Sequence, residues 1–281
     1  MWLYPLICMG VLGVAFGAGL AYASKKFAVE VDPKVEALIN VLPGANCGAC
    51  GYPGCSGYAS AVAAGEAVPN LCSPGGAETV EKISEILGVA VEASESKTAF
   101  IKCAGAKEAV QESVYAGVQS CALAALVNKG PSACKNACLM MGDCAEVCQF
   151  DAITWSPGNI PVIIEEKCTA CGKCVQACPK GIIDLRPKSK RVLVLCSSVD
   201  KGAVARKACK VACIACTKCV KECPVDAIRI ENNHAIIDTE KCILCGKCVS
   251  VCPTKAIWDG RPPRKPKKIE QVKKESESIN A

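Results

Sequence analysis

From Trp2 to Ala23 the chain is an almost unbroken apolar run without a charged residue. At about 1.5 Å of rise per residue, a helix of this length crosses the hydrocarbon core of a bilayer, so the run predicts one transmembrane helix over residues 1–24. Gly13 and Gly17 form a GxxxG pair inside it, a spacing that lets a second helix approach closely. Lys25 and Lys26 follow the run and no basic residue precedes it, which places the rest of the chain in the cytoplasm by the positive-inside rule. A cleaved signal peptide is the alternative. Ala21-Tyr22-Ala23 has the A-x-A form, but the basic n-region is missing and the apolar run is longer than an h-region.

Beyond the span the periodicity shortens. Asp32-Pro33 to Leu42 and Ala77 to Leu87 carry helix start signals and helical apolar spacing, predicting a small helical domain over residues 25–95. Farther on, short apolar pairs alternate with turn residues. Ala152-Ile-Thr-Trp, the turn Pro157-Gly158-Asn159 and Pro161-Val-Ile-Ile read as one hairpin; Ala227-Ile-Arg-Ile, Glu231-Asn232-Asn233 and Ala235-Ile-Ile-Asp read as its counterpart. From Arg261 the prolines and mixed Lys and Glu lack apolar periodicity, predicting a basic disordered, solubilising tail over 261–281, with contact to lipid headgroups or an anionic partner as the alternative.

Composition sharpens this picture. The 281 residues include 25 cysteines and only 4% aromatic residues, so no single large aromatic core holds the chain together. Disulfide scaffolds of this cysteine density are short and secreted, whereas metal–thiolate bonds couple ligation to folding in modules of any compartment. The net charge of +6 is spread along the chain, with no pattern that calls for nucleic acid.

The cysteines fall into repeated runs. Cys168-x2-Cys171-x2-Cys174-x3-Cys178-Pro179, Cys213-x2-Cys216-x2-Cys219-x3-Cys223-Pro224 and Cys242-x2-Cys245-x2-Cys248-x3-Cys252-Pro253 share one spacing. A looser run, Cys134-x3-Cys138-x5-Cys144-x3-Cys148, has Gln149 where the others have Pro, yet its tail Phe150-Asp151-Ala152-Ile153 parallels Val225-Asp226-Ala227-Ile228. Two-residue gaps let one tight loop bring three thiolates around a cube, with backbone N–H groups turned to the sulfur. The runs resemble those of two-cluster bacterial ferredoxins, in which the fourth Cys ligates the neighbouring cube. That resemblance pairs Cys134, Cys138 and Cys144 with Cys178, and Cys148 with Cys168, Cys171 and Cys174. It likewise pairs Cys213, Cys216 and Cys219 with Cys252, and Cys223 with Cys242, Cys245 and Cys248. The modules would span 134–190 and 209–260, joined by a linker at 191–208 and preceded by a connecting segment at 96–133. Zinc ribbons use two separated Cys pairs instead of three-plus-one runs.

Upstream, Cys47-Gly-Ala-Cys50-Gly-Tyr-Pro-Gly-Cys55 and Cys72 supply four thiolates for a further [4Fe–4S] cluster and look like a Fes-type domain; a zinc site is the alternative. These assignments take twenty cysteines and leave Cys8, in the span, with Cys103, Cys121, Cys196 and Cys209. The last four are the number needed for a sixth cluster; buried free thiols are the alternative, and counting does not decide. The expected cofactors are therefore at least five [4Fe–4S] clusters and at most six. No GxGxxG follows a strand and no GxxxxGK[ST] loop occurs, so NAD and flavin would bind elsewhere. His234 reads as a hairpin residue, and no acid–base or nucleophile constellation marks a catalytic residue.

One span, a Fes-type motif and tandem ferredoxin runs, in that order, resemble the RnfB family, the iron–sulfur subunit of the ion-translocating ferredoxin:NAD oxidoreductase, in its longer form. The resemblance implies an α+β chain with a transmembrane helix, a small helical Fes-type domain and two dicluster ferredoxin-like modules. It implies electrons received from soluble ferredoxin at the cytoplasmic face of the cell membrane and relayed to membrane and flavin subunits of the complex. The competing readings are an iron–sulfur wire of another membrane oxidoreductase and a non-redox protein with structural metal sites.

Overall fold

The computed structural model describes residues 3–26, 32–91, 95–105, 107–156 and 158–260. The expected tail at 261–281 and Pro157 of the first hairpin turn lie outside these residues.

Helix α1 (Leu3–Lys26) takes up the N-terminal apolar run and closes on Lys25 and Lys26. It is long and apolar enough to cross a membrane, and its large apolar side chains, Leu12, Phe16 and Leu20 among them, stand exposed.

A three-helix unit follows. Helix α2 (Pro33–Val41) starts at Asp32, whose carboxylate accepts the Lys34 N–H at 2.8 Å, with Pro at the first helical position where its missing N–H costs nothing. Helix α3 (Cys55–Ala63) and helix α4 (Gly76–Leu87) pack on α2 around Leu38, Tyr58, Val62 and Ile83, all nearly inaccessible. The flanking helices match the sequence reading; α3 was not legible because small residues (Ser56, Gly57, Ala59, Ser60, Ala61) blur its periodicity.

The remainder is built twice. In the first half, strand β1 (Lys97–Ile101) is followed by α5 (Cys121–Leu126), α6 (Asp143–Glu146), β2 (Ile153–Thr154), β3 (Val162–Ile163), α7 (Lys173–Ala177) and β4 (Ile183–Pro187). In the second, β5 (Val192–Val194) leads to α8 (Gly202–Ala208), α9 (Lys218–Lys221), β6 (Ile228–Glu231), β7 (His234–Ile237), α10 (Lys247–Ser250) and β8 (Ile257–Asp259). Each half has an antiparallel hairpin at its middle, β2–β3 or β6–β7, and an outer antiparallel pair joining its ends, β1–β4 or β5–β8. The register sets Ala99 opposite Leu185 in one half and Leu193 opposite Trp258 in the other.

The outer strands β1 and β5 fall in the stretches that the cysteine runs alone mark as a connecting segment and a linker. A two-stranded ribbon is marginal by itself, so each half is completed by a strand recruited from upstream of its first cysteine run. His234 lies in β7 opposite Glu231, with its ring Nδ1 3.2 Å from the Asn232 carbonyl oxygen, as a hairpin residue.

The halves touch through backbone. The Ala104 N–H donates to the Leu195 carbonyl at 3.0 Å, the Val110 N–H to Ala208 at 2.9 Å and the Lys210 N–H to Glu108 at 3.2 Å. Arg186, 3% exposed, pins the turn between them. Its Nη1 donates to the carbonyls of Pro187 at 3.1 Å and Lys190 at 3.0 Å, while Nη2 pairs with Glu165.

Candidate iron–sulfur sites

Four loops share one backbone path. The residue before the second position of each run has a positive φ: Met140 (58°), Ala170 (56°), Ala215 (52°) and Leu244 (58°). So does the residue after it, at Gly142 (89°), Gly172 (79°), Thr217 (60°) and Gly246 (79°), and so does the residue three beyond the fourth Cys, at Asp151, Gly181, Asp226 and Lys255. Left-handed residues at these places turn the chain sharply, and each loop then enters a one-turn helix. The third cysteine sits at the second position of that helix and points inward: Cys144, Cys174, Cys219 and Cys248 are 6–8% exposed. Four residues past the fourth Cys, Ala152, Ile182, Ala227 and Ala256 seal the inner wall.

This repeat puts the first run in a different register from the sequence reading. Its four positions are Cys138, Met141, Cys144 and Cys148, the regular spacing with Met in the second place. The missing sulfur comes from Cys121. A hollow of about 380 Å³ is lined by Cys121, Cys138, Cys144 and Cys178, whereas Cys134 faces elsewhere. Asp143 holds Cys121 there: its carboxylate accepts the N–H groups of Cys121 at 2.7 Å and Ala122 at 3.1 Å, and the Ser120 hydroxyl at 3.0 Å. Burial works to raise the Asp143 acid, but these donors outweigh it and hold the carboxyl below the usual range. The expected grouping of Cys134 with Cys138, Cys144 and Cys178 therefore differs from the structure by one member. The signal in the sequence was Met141, which keeps the x2-x2-x3 spacing only when Cys138 counts as the first position.

The other sets expected from the resemblance are found as neighbours. Cys148, Cys168, Cys171 and Cys174 ring a hollow of about 350 Å³, Cys223, Cys242, Cys245 and Cys248 one of about 320 Å³, and Cys47, Cys50, Cys55 and Cys72 one of about 310 Å³. Cys213, Cys219 and Cys252 pack together in the second half's core, with Cys216 beside Cys219. A fifth hollow, again about 310 Å³, is lined by Cys103, Cys134, Cys196 and Cys209. Of the four cysteines left over by the sequence count, Cys121 is thus exchanged for Cys134. Cys8 stands exposed on α1, apart from all of these.

The sulfurs are desolvated and met by backbone donors. Burial pushes the Cys138 and Cys144 thiols up to about 12, and those of Cys174, Cys196, Cys219 and Cys248 up to about 11. The Ala99 N–H points at Cys168 Sγ (3.4 Å), the Ala227 N–H at Cys223 Sγ (3.3 Å) and the Ala235 N–H at Cys213 Sγ (3.4 Å). Such donors stabilise thiolate and sulfide charge once a metal centre is bound.

The residues fit a cube better than a single ion. A tetrahedral zinc draws its sulfurs to about 2.3 Å from the metal, hence to within about 4 Å of one another. Among the described residues no group of three or more His, Cys, Asp or Glu could hold a metal ion in that way. The thiols instead line hollows with apolar walls and N–H donors, an arrangement that suits a larger anionic guest.

In the three-helix unit the loop is shaped by Asn46 and Gly54. Asn46 Oδ1 accepts the Cys55 N–H at 2.8 Å, and Gly54 has φ 103°, where a Cβ would stand 2.8 Å from that same oxygen. Tyr58, 1% exposed, donates its hydroxyl to the Val68 carbonyl at 2.9 Å and accepts the Leu71 N–H at 3.2 Å, holding the loop that carries Cys72. Burial drives its phenol up to about 12. Replacing Tyr58 by Phe removes both hydrogen bonds, and we expect a loss of about 1 kcal/mol in stability. This unit's iron should also be released to a chelator faster than in the unaltered chain, which absorbance bleaching would follow.

Comparison with known proteins agrees with this geometry. The family model described as "Putative Fe-S cluster" matches residues 42–74, "4Fe-4S binding domain" matches 161–184 and "4Fe-4S dicluster domain" matches 212–257. The chain is 45% identical over 240 residues to the B subunit of the Na(+)-translocating ferredoxin:NAD(+) oxidoreductase complex of Acetobacterium woodii, covering 85% of this chain and 72% of that protein. It is 43% identical to the B subunit of the proton-translocating ferredoxin:NAD(+) oxidoreductase complex of Clostridium ljungdahlii, covering 83% of each. Against the B subunit of the ion-translocating oxidoreductase complex of Methanosarcina acetivorans the identity is 41%, over 82% of this chain and 88% of that one. Such identity along most of both chains, on top of thiol-ringed hollows where the family models match, makes this chain a member of the B-subunit family of Rnf-type ion-translocating oxidoreductase complexes.

Proposed function

We propose that the chain is the electron-relay subunit of a membrane-bound, ion-translocating ferredoxin:NAD oxidoreductase, accepting electrons from reduced soluble ferredoxin and handing them to membrane and flavin partner subunits. The observation that carries this reading is the fourfold loop, repeated with left-handed residues at the same places, whose cysteines line thiol-ringed hollows. [4Fe–4S] clusters held there supply one-electron chemistry, at potentials that protein surroundings set anywhere from roughly −700 to +450 mV.

The chain's own part is to hold and tune. Cys47, Cys50, Cys55 and Cys72 would hold the cluster of the helical Fes-type domain. Two tandem dicluster ferredoxin-like modules follow. The first would use Cys121, Cys138, Cys144 and Cys178 for one cluster and Cys148, Cys168, Cys171 and Cys174 for the other. The second would use Cys213, Cys216, Cys219 and Cys252, then Cys223, Cys242, Cys245 and Cys248. Apolar walls exclude water, and the backbone donors raise the potential relative to bare thiolate ligation. Helix α1 would anchor the chain in the cell membrane with the iron–sulfur domains in the cytoplasm, following Lys25 and Lys26. NAD and flavin sites fall to other subunits.

The test is an EPR-monitored redox titration of the full-length chain, purified anaerobically in detergent, followed by mixing with reduced ferredoxin. We expect several low-potential signals that ferredoxin reduces within the mixing experiment. Zinc in place of iron and sulfide, or clusters that ferredoxin leaves oxidised, would overturn the proposal.

A further inference from the structure

We infer that Cys103, Cys134, Cys196 and Cys209 hold a [4Fe–4S] cluster that joins the two halves of the chain into one electron path. The inference rests on reading the other hollows as cluster sites, and it concerns a place that none of the three matched family segments covers.

The site is made of two like corners, one from each half. Cys103 lies two residues beyond the end of β1 and Cys196 two residues beyond the end of β5. Cys134 opens Cys134-Lys-Asn-Ala-Cys138 and Cys209 opens Cys209-Lys-Val-Ala-Cys213, so each stands four residues before the first ligand of its half's own run. The Ala104–Leu195 hydrogen bond and the isolated bridge between Ala109 and Cys209 tie the corners together. A chance meeting of four thiols, three of them buried and Cys103 half-buried, would not repeat the same two positions from each half.

The packing around the hollow points the same way. The buried residues packed around it are small, Ala109, Ala137, Ala205, Ala208, Ala212 and Ala256, and Leu195 and Val211 complete its wall. Protein interiors are otherwise filled to the density of organic crystals. Here four thiols line a hollow at the seam, as four thiols do in the Fes-type domain. Gly105 clears one side: a Cβ there would stand 2.6 Å from Cys209 Sγ.

The neighbours of this hollow make it a link. The Cys138 N–H donates to Cys103 Sγ at 3.5 Å, so a ligand of the first half's cluster touches a ligand of this one. On the other side the Cys213 N–H is directed at Cys196. Within each half the two sites also adjoin, Cys144 and Cys174 sharing one buried cluster and Cys219 and Cys248 another. Five sites thus form a row with this one at its centre. The role is one-electron relay: each electron taken from the cluster of one half is given to that of the other, with no bond formed or broken and no proton moved, and reduced ferredoxin is the source.

Iron and acid-labile sulfide in the full-length chain give the first readout: six clusters require about 24 of each, five about 20. About 20 with low-potential signals intact would overturn this inference and leave the proposed function standing; zinc would overturn both. Cys134→Ser and Cys209→Ser should each remove about four irons while both halves keep their EPR signals, now without the magnetic broadening that a close reduced neighbour imposes. An iron count unchanged in both variants would overturn the assignment. Gly105→Val keeps every thiol and should lose the same four irons, covering the case in which a cysteine variant fails to fold.

Discussion

Replacing Cys121 by serine should remove one cluster, about four irons per chain, and adding Met141→Cys to that variant should bring it back. The rescue follows from the backbone. Met140 and Gly142 have the φ angles of the residues that flank the second cysteine in the three regular loops, so a thiol at position 141 starts from the Cα position from which Cys171, Cys216 and Cys245 approach their hollows. The Met141 N–H already faces the Cys121 sulfur. Iron, sulfide and EPR of the single and double variants check this. Full iron in Cys121→Ser, or no recovery in the double variant, would sink the assignment of Cys121 to the hollow with Cys138, Cys144 and Cys178. Cys134→Ser makes the control, because Met141→Cys should not rescue it: Cys134 faces the seam between the halves.

Arg186→Met should cost about 3 kcal/mol, because removing one partner of a buried ion pair strands the other and its hydrogen-bonding neighbours. Arg186 pairs with Glu165 and donates to the Pro187 and Lys190 carbonyls, so its loss frees three acceptors at once. Arg191, 3.6 Å from Glu165, retains part of the compensation, which keeps the figure at the low end of the range for such pairs. Arg186→Lys should recover little, since an ammonium cannot span a carboxylate and two carbonyls in a plane. Burial also shields the pair from salt, whereas the contribution of Lys82–Glu78, exposed on α4, should vanish in high salt. A thermal midpoint lowered by about 10 °C in Arg186→Met, unaffected by salt, is the expected result; a shift under about 2 °C would show that the turn between the halves does not depend on this residue.

Much of the molecule was legible because its chemistry is local. A loop of seven residues brings three thiolates together from spacing alone, so the regular runs, their hairpins and the Fes-type motif could be read from the chain. The apolar run of α1 and the start of α2 at Asp32-Pro33 are likewise signals carried by adjacent residues. What spacing could not supply was which sulfur completes a set when the ligand arrives from a distant segment. Cys121 lies 17 residues before Cys138, and only the Asp143 carboxylate, by gathering the Ser120, Cys121 and Ala122 donors, brings it in. Cys134 is turned the other way by the pairing of residues 110–112 with 131–133 and of Ala109 with Cys209. These contacts join segments far apart in the chain, so their order is fixed by the packing of the two halves against each other. The sequence by itself determined what the chain carries and how many thiols it can offer. The tertiary structure alone decided which four share each hollow, because that choice depends on strands and bridges that form only when the halves meet.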